Sequence, residues 1–338
     1  MSCVKNEPFV KPYIVPDVYT EESLDSSALA RVIMMEGIGN YLNTGASAQL
    51  SNAEMDSLWN NKGNPFTPAI VSNFLYSAEL LNKMKAVNFI NISDADSIKA
   101  FADSTVFYSQ HFNDVASNGV AGTKTVGTSK RLFSEKGVEY SEVWYHAMLG
   151  AMAFNSAKGN MISSGTSVPL AWDLAYRYIG FPGNYDIAID YTALPLKSDR
   201  PLGIAALFSG AESIDAAAIV YEEFRRAKVS AVSSNSAVAV TSLNTIKETI
   251  EKTFALTALS HIDALKQSND EAARLHYLSQ VYGLIWALKY FDEVSPLSVE
   301  DYHQLRNIFR TDFYSIINEA GLVKVNQLQT ILKEAYSL

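Results

Sequence analysis

Apolar side chains in this chain recur at three- and four-residue intervals in one segment after another, and that period limits the fold more than any other feature. A 3.6-residue period gathers apolar groups on one face of a helix, whereas a half-buried strand needs strict alternation. SSALARVIMMEGIGNYLNTG keeps the helical period and stops at Gly45. A capping box, Ser51 with Glu54, opens AEMDSLWNN, and KGNPFT ends it. The period continues through SNFLYSAELLNKMKAV, DADSIKAFADSTVFYSQHF, VEYSEVWYHAMLGAMAFNSA and VPLAWDLAYRYIG. It resumes in SIDAAAIVYEEFRRAKVSAVSS, LNTIKETIEKTFALTALSHIDALKQ, DEAARLHYLSQVYGLIWALKYF, SVEDYHQLRNIFRTDFYSIINEAG and VNQLQTILKEAY. Ser298 with Asp301 marks a helix start and Gly321 a stop. The expected class is all-α, with no strand ladder.

Breaks in the period divide the chain. Pro8, Pro12 and Pro16 keep residues 1–22 from being helical throughout, so they read as a leader or tether. Residues 23–180 form a first helical bundle, 181–210 a turn-rich connector (FPGNYDIAIDYTALPLKSDRPLG falls here), and 211–338 a second bundle. The segments from Glu139 to Phe154 and from His276 to Phe291 echo each other, each an aromatic-rich helix bearing a glycine. Either a bundle was duplicated or two central helices obey the same packing rules.

Charge excludes some classes of function. The 338 residues carry a net charge of −9 with no stripe of Lys and Arg, which disfavours nucleic acid and anionic membrane surfaces as partners. No run approaches the length of apolar sequence that spans a bilayer. The single cysteine, Cys3, excludes an internal disulfide and a cysteine-rich zinc site. Ser2-Cys3 resembles the cleavage point of a bacterial lipoprotein, and Lys5-Asn6-Glu7 is similar to the Lys-plus-acid tag of surface lipoproteins of Bacteroidota. Lipidation at Cys3 is therefore expected; the alternative is an incidental cysteine after an added Met-Ser.

NGVAGTKTVGTSKR, residues 118–131, suggests a phosphate cradle at first sight, but Thr123 separates Gly122 from Lys124 and Thr128-Ser129 separate Gly127 from Lys130. With no hydrophobic strand feeding it, this is not a P-loop. It is expected to be an ordered connector between helices: Gly119 and Gly122 permit its turns, and Lys130 or Arg131 fixes it to a helical carboxylate, Glu139 or Asp173.

Catalytic signatures are missing. The five histidines, His111, His146, His261, His276 and His303, fall at no zinc-ligand spacing, and neither H-x-x-E, H-E-x-x-H nor G-x-S-x-G occurs. Glu142 and His146 share a helical face, where a hydrogen bond is the plain reading and metal co-ligation the sharper one. Asp173, beside Trp172 on an apolar face, must be paired, and Lys130 or Arg131 is the expected partner. Glu139, Asp173 and His276 form the candidate metal or ligand set, on condition that the helices bring them together.

G-V-A-G at 119–122, the following S-K-R, and the G-V-E-Y helix start at 137–140 together resemble an imelysin-related family of bacterial lipoproteins, domain of unknown function 4856. KGNPF at 62–66, W-D-x-A-Y at 172–176 and H-x-L-S-x-x-Y-G at 276–283 are similar to further blocks of that family, in order. Leu174, Arg177 and Gln280 depart from it, the first and last standing where the family has acids. The resemblance implies imelysin-like fused bundles sharing a core, an anchor in the outer membrane, and a part in iron or haem uptake beside an outer-membrane transporter. The competing expectation is a non-catalytic interaction subunit of an outer-membrane surface assembly, with no metal ligand.

Overall fold

The computed structural model describes residues 13–22, 26–71, 92–162, 168–183, 185–194, 199–233, 235–291 and 295–338. Cys3 and the helix expected over 72–87 lie outside these residues. Among the described residues the fold is all-α apart from one small hairpin.

Helix α1 (Ser27–Thr44) buries nearly its whole circumference, from Ala28 to Leu42. Helix α2 (Asn52–Asn60) starts where the Ser51 side chain accepts from the Glu54 N–H, and ends at Asn61 in the left-handed conformation. After α3 (Ile92–Tyr108) comes a departure from expectation. Residues 118–131 are not an irregular connector: most of them belong to an antiparallel hairpin of β1 (Gly122–Val126) and β2 (Ser129–Phe133), paired from Gly122 with Phe133 to Val126 with Ser129. β-Branched Thr123, Thr125 and Val126 favour extended backbone, and Gly127, at φ 59°, allows the two-residue turn.

Helix α4 (Tyr140–Met148) continues through a π-helical turn (Leu149–Phe154) into α5 (Asn155–Ile162). Then come α6 (Val168–Ile179), the short α7 (Gly203–Leu207) and α8 (Ala216–Val232). The long α9 (Ser236–Gln267) is followed by α10 (Glu271–Ala287), capped by the Asp270 carboxylate. The period over 298–321 resolves into two helices rather than one, α11 (Val299–Ile308) and α12 (Phe313–Asn318), because Asp312 accepts from the Ser315 N–H and starts a new cap. Helix α13 (Val323–Tyr336) completes the chain. Buried apolar side chains from Tyr19 to Tyr336 form one continuous core, and a fully buried aromatic such as Trp144 contributes about 1.5–3 kcal/mol to it.

The two echoing segments lie side by side in its middle. Glu139 meets His276 at 2.7 Å, across a sequence separation of 137. The same separation brings His146 to Gly283, Gly150 to Ala287, and the ring of Phe154 onto that of Phe291, with centroids 4.0 Å apart. A constant offset along four turns means that the two helices run parallel and in register. Glycine makes the approach: a methyl on Gly150 would stand 2.5 Å from Ala287 Cα, and one on Gly283 would stand 2.7 Å from the Val143 carbonyl oxygen.

Residues 16–21, near the end of the leader, are bound to this body. Arg225 donates to the Pro16 and Asp17 carbonyls at 2.8 Å, and the Tyr19 ring stacks on Tyr176 with centroids 4.2 Å apart. Arg177, one of the departures from the family pattern, grips Glu21 through Nε and Nη2 at 2.5 Å each. Its guanidinium therefore serves leader docking, a bidentate pairing that fixes geometry as well as charge.

Candidate functional site

Three elements converge where the parallel pair begins. Strand β2 supplies Arg131. Glu139 stands at the N-cap of α4 and Glu142 in its first turn, where a carboxylate meets the favourable end of the helix dipole. Helix α10 supplies His276, Ser279 and Gln280. The Glu139 backbone N–H donates to the Ser279 hydroxyl at 2.9 Å, which ties the helix start to α10. The Ser134 hydroxyl accepts from the Val138 N–H at 3.1 Å and shapes the turn between β2 and α4.

The carboxylates are shared unequally. Arg131 Nη1 lies 3.2 Å from Glu139 Oε1 and 2.8 Å from Glu142 Oε1, while His276 Nδ1 lies 2.7 Å from Glu139 Oε2. Gln280 donates to Glu142 Oε2 at 3.2 Å. Glu139 is 1 % exposed and His276 7 %, so neither charge is diluted by solvent. Ligand atoms of Glu139, Glu142 and His276 lie within 4.8 Å of one another, a spacing that suits a metal ion. The buried Gln280 Oε1 has no hydrogen-bond partner among the described residues, a cost that an added cation or its water would remove.

Environment drives the two acids apart. Burial raises Glu139, and the neighbouring Glu142 adds to this against the pull of His276 and Arg131. Burial alone would raise Glu142 too, but His146, His276 and Arg131, with the Gln280 amide, carry it below the ordinary carboxylate value. Burial opposes charge on His276, yet its hydrogen bond and attraction to Glu139 lift it above the ordinary imidazole value. His146 and His261 move the other way because burial disfavours their charged forms, and His261 falls to about 3. Glu142 is thus the acid more strongly favoured as an anion, while Glu139 and His276 titrate as a hydrogen-bonded pair. A cleft of about 320 Å³, lined by Asn43, Ser47, Lys130, Arg131 and Ser141, has Glu139 in its wall and so borders the cluster.

The structure brings Glu139 and His276 together and leaves Asp173 out. Asp173 accepts from Tyr19 Oη at 2.8 Å, Lys228 Nζ at 2.7 Å and the Glu22 N–H at 2.9 Å, far along the chain from the hairpin. The expected pairing with Lys130 or Arg131 is therefore corrected to Lys228. Lys130 instead donates to the Phe112 carbonyl at 2.6 Å. Gly119 has φ 82°, but Gly122 does not need positive φ: a methyl there would meet the Asp114 carbonyl oxygen at 2.6 Å. Glu142, expected only as a partner of His146, is a full member of the cluster, and its spacing of three from Glu139 is the signal that marks it. His146 Nδ1 lies 2.9 Å from the Glu142 carbonyl oxygen, with the carboxylate at 3.7 Å.

Residues 23–166 match the model of a family described as a domain of unknown function, DUF4856. The match contains the hairpin, Arg131, Glu139 and Glu142, and ends before Asp173 and His276. No curated protein and no solved structure matches the chain.

Proposed function

We propose that this chain is a non-catalytic binding protein of the bacterial cell envelope, in which Glu139, Glu142 and His276 take one divalent transition-metal ion. The observation that carries the reading is the convergence of two carboxylates and an imidazole within 4.8 Å beside an open polar cleft. Mixed oxygen and nitrogen donors suit ions such as Fe(II), Mn(II) or Zn(II). Ferrous iron fits the iron-linked role implied by the resemblance to imelysins, and the anchor at Cys3 fits an accessory component at the outer membrane. None of the described helices is long and apolar enough to cross a membrane. The second reading, an interaction subunit with no metal, is supported by Arg131, which pairs with both carboxylates and balances their charge.

Calorimetric titration of chelator-treated protein with Mn(II), and anaerobically with Fe(II), separates the two. One equivalent bound, lost in Glu142→Gln and in His276→Gln, is expected. The absence of saturable binding, or binding unchanged in both variants, overturns the metal reading in favour of the closed ion network.

A further inference from the structure

The connector, the end of α7 and the start of α8 line a second cavity, of about 440 Å³, which shares no residue with the carboxylate cluster. Its walls are apolar and aromatic: Tyr185, Ile187, Tyr191, Phe208 and Ala216 among them. The Tyr185 and Tyr191 rings stack with centroids 5.4 Å apart and planes 4° from parallel, so they offer a fixed aromatic surface. Tyr185 is held in turn against Phe181 and Tyr221. The size lies within the usual range for sites of small organic molecules.

The polar groups in the wall are few and unequal in sign. Asp190 and Asp215 line the cavity with one cation, Arg200, whose Nε donates to the Leu194 carbonyl at 2.8 Å. Asp215 is the more informative. It stands at the N-cap of α8, where aspartate ordinarily accepts from a backbone N–H two or three residues on. Here it adopts φ 49° and ψ 44°, and its side chain makes no capping hydrogen bond. A non-glycine residue in left-handed backbone costs about 1–3 kcal/mol and tends to occur where function needs it. Asp215 thus leaves the helix start uncapped and is one of the residues that line the cavity. Its negative field reaches the Tyr185 hydroxyl, which burial first and then neighbouring groups including Asp215 raise to about 12, so the phenol stays neutral and its ring electron-rich.

We propose that this cavity binds a small organic cation with an apolar or aromatic body, such as a protonated arylalkylamine. The body packs against Tyr185, Tyr191 and Phe208, while the ammonium faces the aromatic rings and the Asp190–Asp215 side. Aromatic faces attract cations through their quadrupole, and a neighbouring carboxylate adds to that attraction. The site is independent of the metal reading, sharing no residue with it.

Three probes of matched shape test it by calorimetry at pH 7 and low salt: 2-phenylethylamine, 2-phenylethanol and 3-phenylpropanoate. The amine is expected to bind saturably, the alcohol about tenfold more weakly, and the acid not at all. Asp215→Asn removes the charge while keeping a residue that tolerates left-handed backbone, so it is expected to fold normally and to narrow the gap between amine and alcohol. Ala206→Trp, at the exposed rim of the cavity, is expected to abolish binding of every probe without lowering the Tm. If no probe binds, if the alcohol or the acid binds as tightly as the amine, or if Asp215→Asn keeps the whole preference for the amine, the proposal is wrong.

Discussion

Two carboxylate centres are buried between helices of this protein, and the number of donors around each sets them apart. Asp173 has one lysine, one tyrosine hydroxyl and one backbone N–H for its two oxygens, all at 2.7–2.9 Å. Glu139 and Glu142 divide one guanidinium between them, together with an imidazole and a single amide proton pair. The first centre is saturated, and its partners come from residues 19–22 and α8, so it fastens the end of the leader and α8 to α6. The second is under-supplied and borders a cleft. A buried acid of the first kind is explained by structure alone, whereas one of the second kind has capacity left for something further.

The largest effect is expected where the charge is most deeply sealed. Lys228→Met leaves Asp173 without its cation and should cost about 3–5 kcal/mol in chemical denaturation. Adding Asp173→Asn should recover most of that loss, because the stranded charge goes with it. Arg131→Ala strands two acids, but ones beside a cleft, and is expected to cost about 2–4 kcal/mol. The contrast is sharpest with metal present: Mn(II) should restore stability to Arg131→Ala and leave Lys228→Met unchanged. Equal responses of the two variants would erase the distinction between the centres.

Histidines stand only at the second centre, so pH should separate the two as well. His261 has a lowered value when folded; the unfolded chain therefore binds its proton first, and stability falls as pH drops from about 6.5 toward about 3. His261→Gln should flatten that acid limb by up to about 1.4 kcal/mol per pH unit. His276 has the opposite sign: its stabilising contribution is complete below the ordinary imidazole value and fades as pH rises through its raised one. Denaturation midpoints measured at several pH values should show the His261→Gln change.

The smallest effects belong to the hairpin that carries Arg131. Gly122→Ala drives a methyl into the Asp114 carbonyl and should cost roughly 1–3 kcal/mol. Gly119→Ala meets open space and should cost only the left-handed penalty, about 1 kcal/mol. Thermal melts that reverse this order would show that conformation, not close packing, holds the hairpin to its neighbours.

The helices were legible because a 3.6-residue period depends only on neighbouring residues. The hairpin was misread because two five-residue strands are too short to establish alternation, although T-K-T-V, Gly127-Thr128 and S-K-R-L-F carry the β-branched flanks and glycine turn of one. The break before α12 was also visible in principle, as Asp312 three residues before Ser315. The partners of Asp173 were not: Lys228 is 55 residues away and Tyr19 is 154, and only tertiary packing brings them together. Glu139 and His276 were named for their residue types, and they also begin the two echoing segments, a pattern that pointed to equivalent places without showing that those places touch.

The parallel run of α4 and α10 has a consequence for the order in which this molecule comes into being. Helices that point the same way cannot be joined by a short turn, so the chain must travel back along the body before α10 can dock beside α4. Contacts between residues 137 positions apart form slowly, because the intervening loop must close before any packing rewards it. The carboxylate cluster is therefore a late event in folding. A nascent or truncated chain that ends before His276 has the acids and the arginine but lacks the imidazole, so acquisition of the complete donor set reports that the whole chain has arrived and packed.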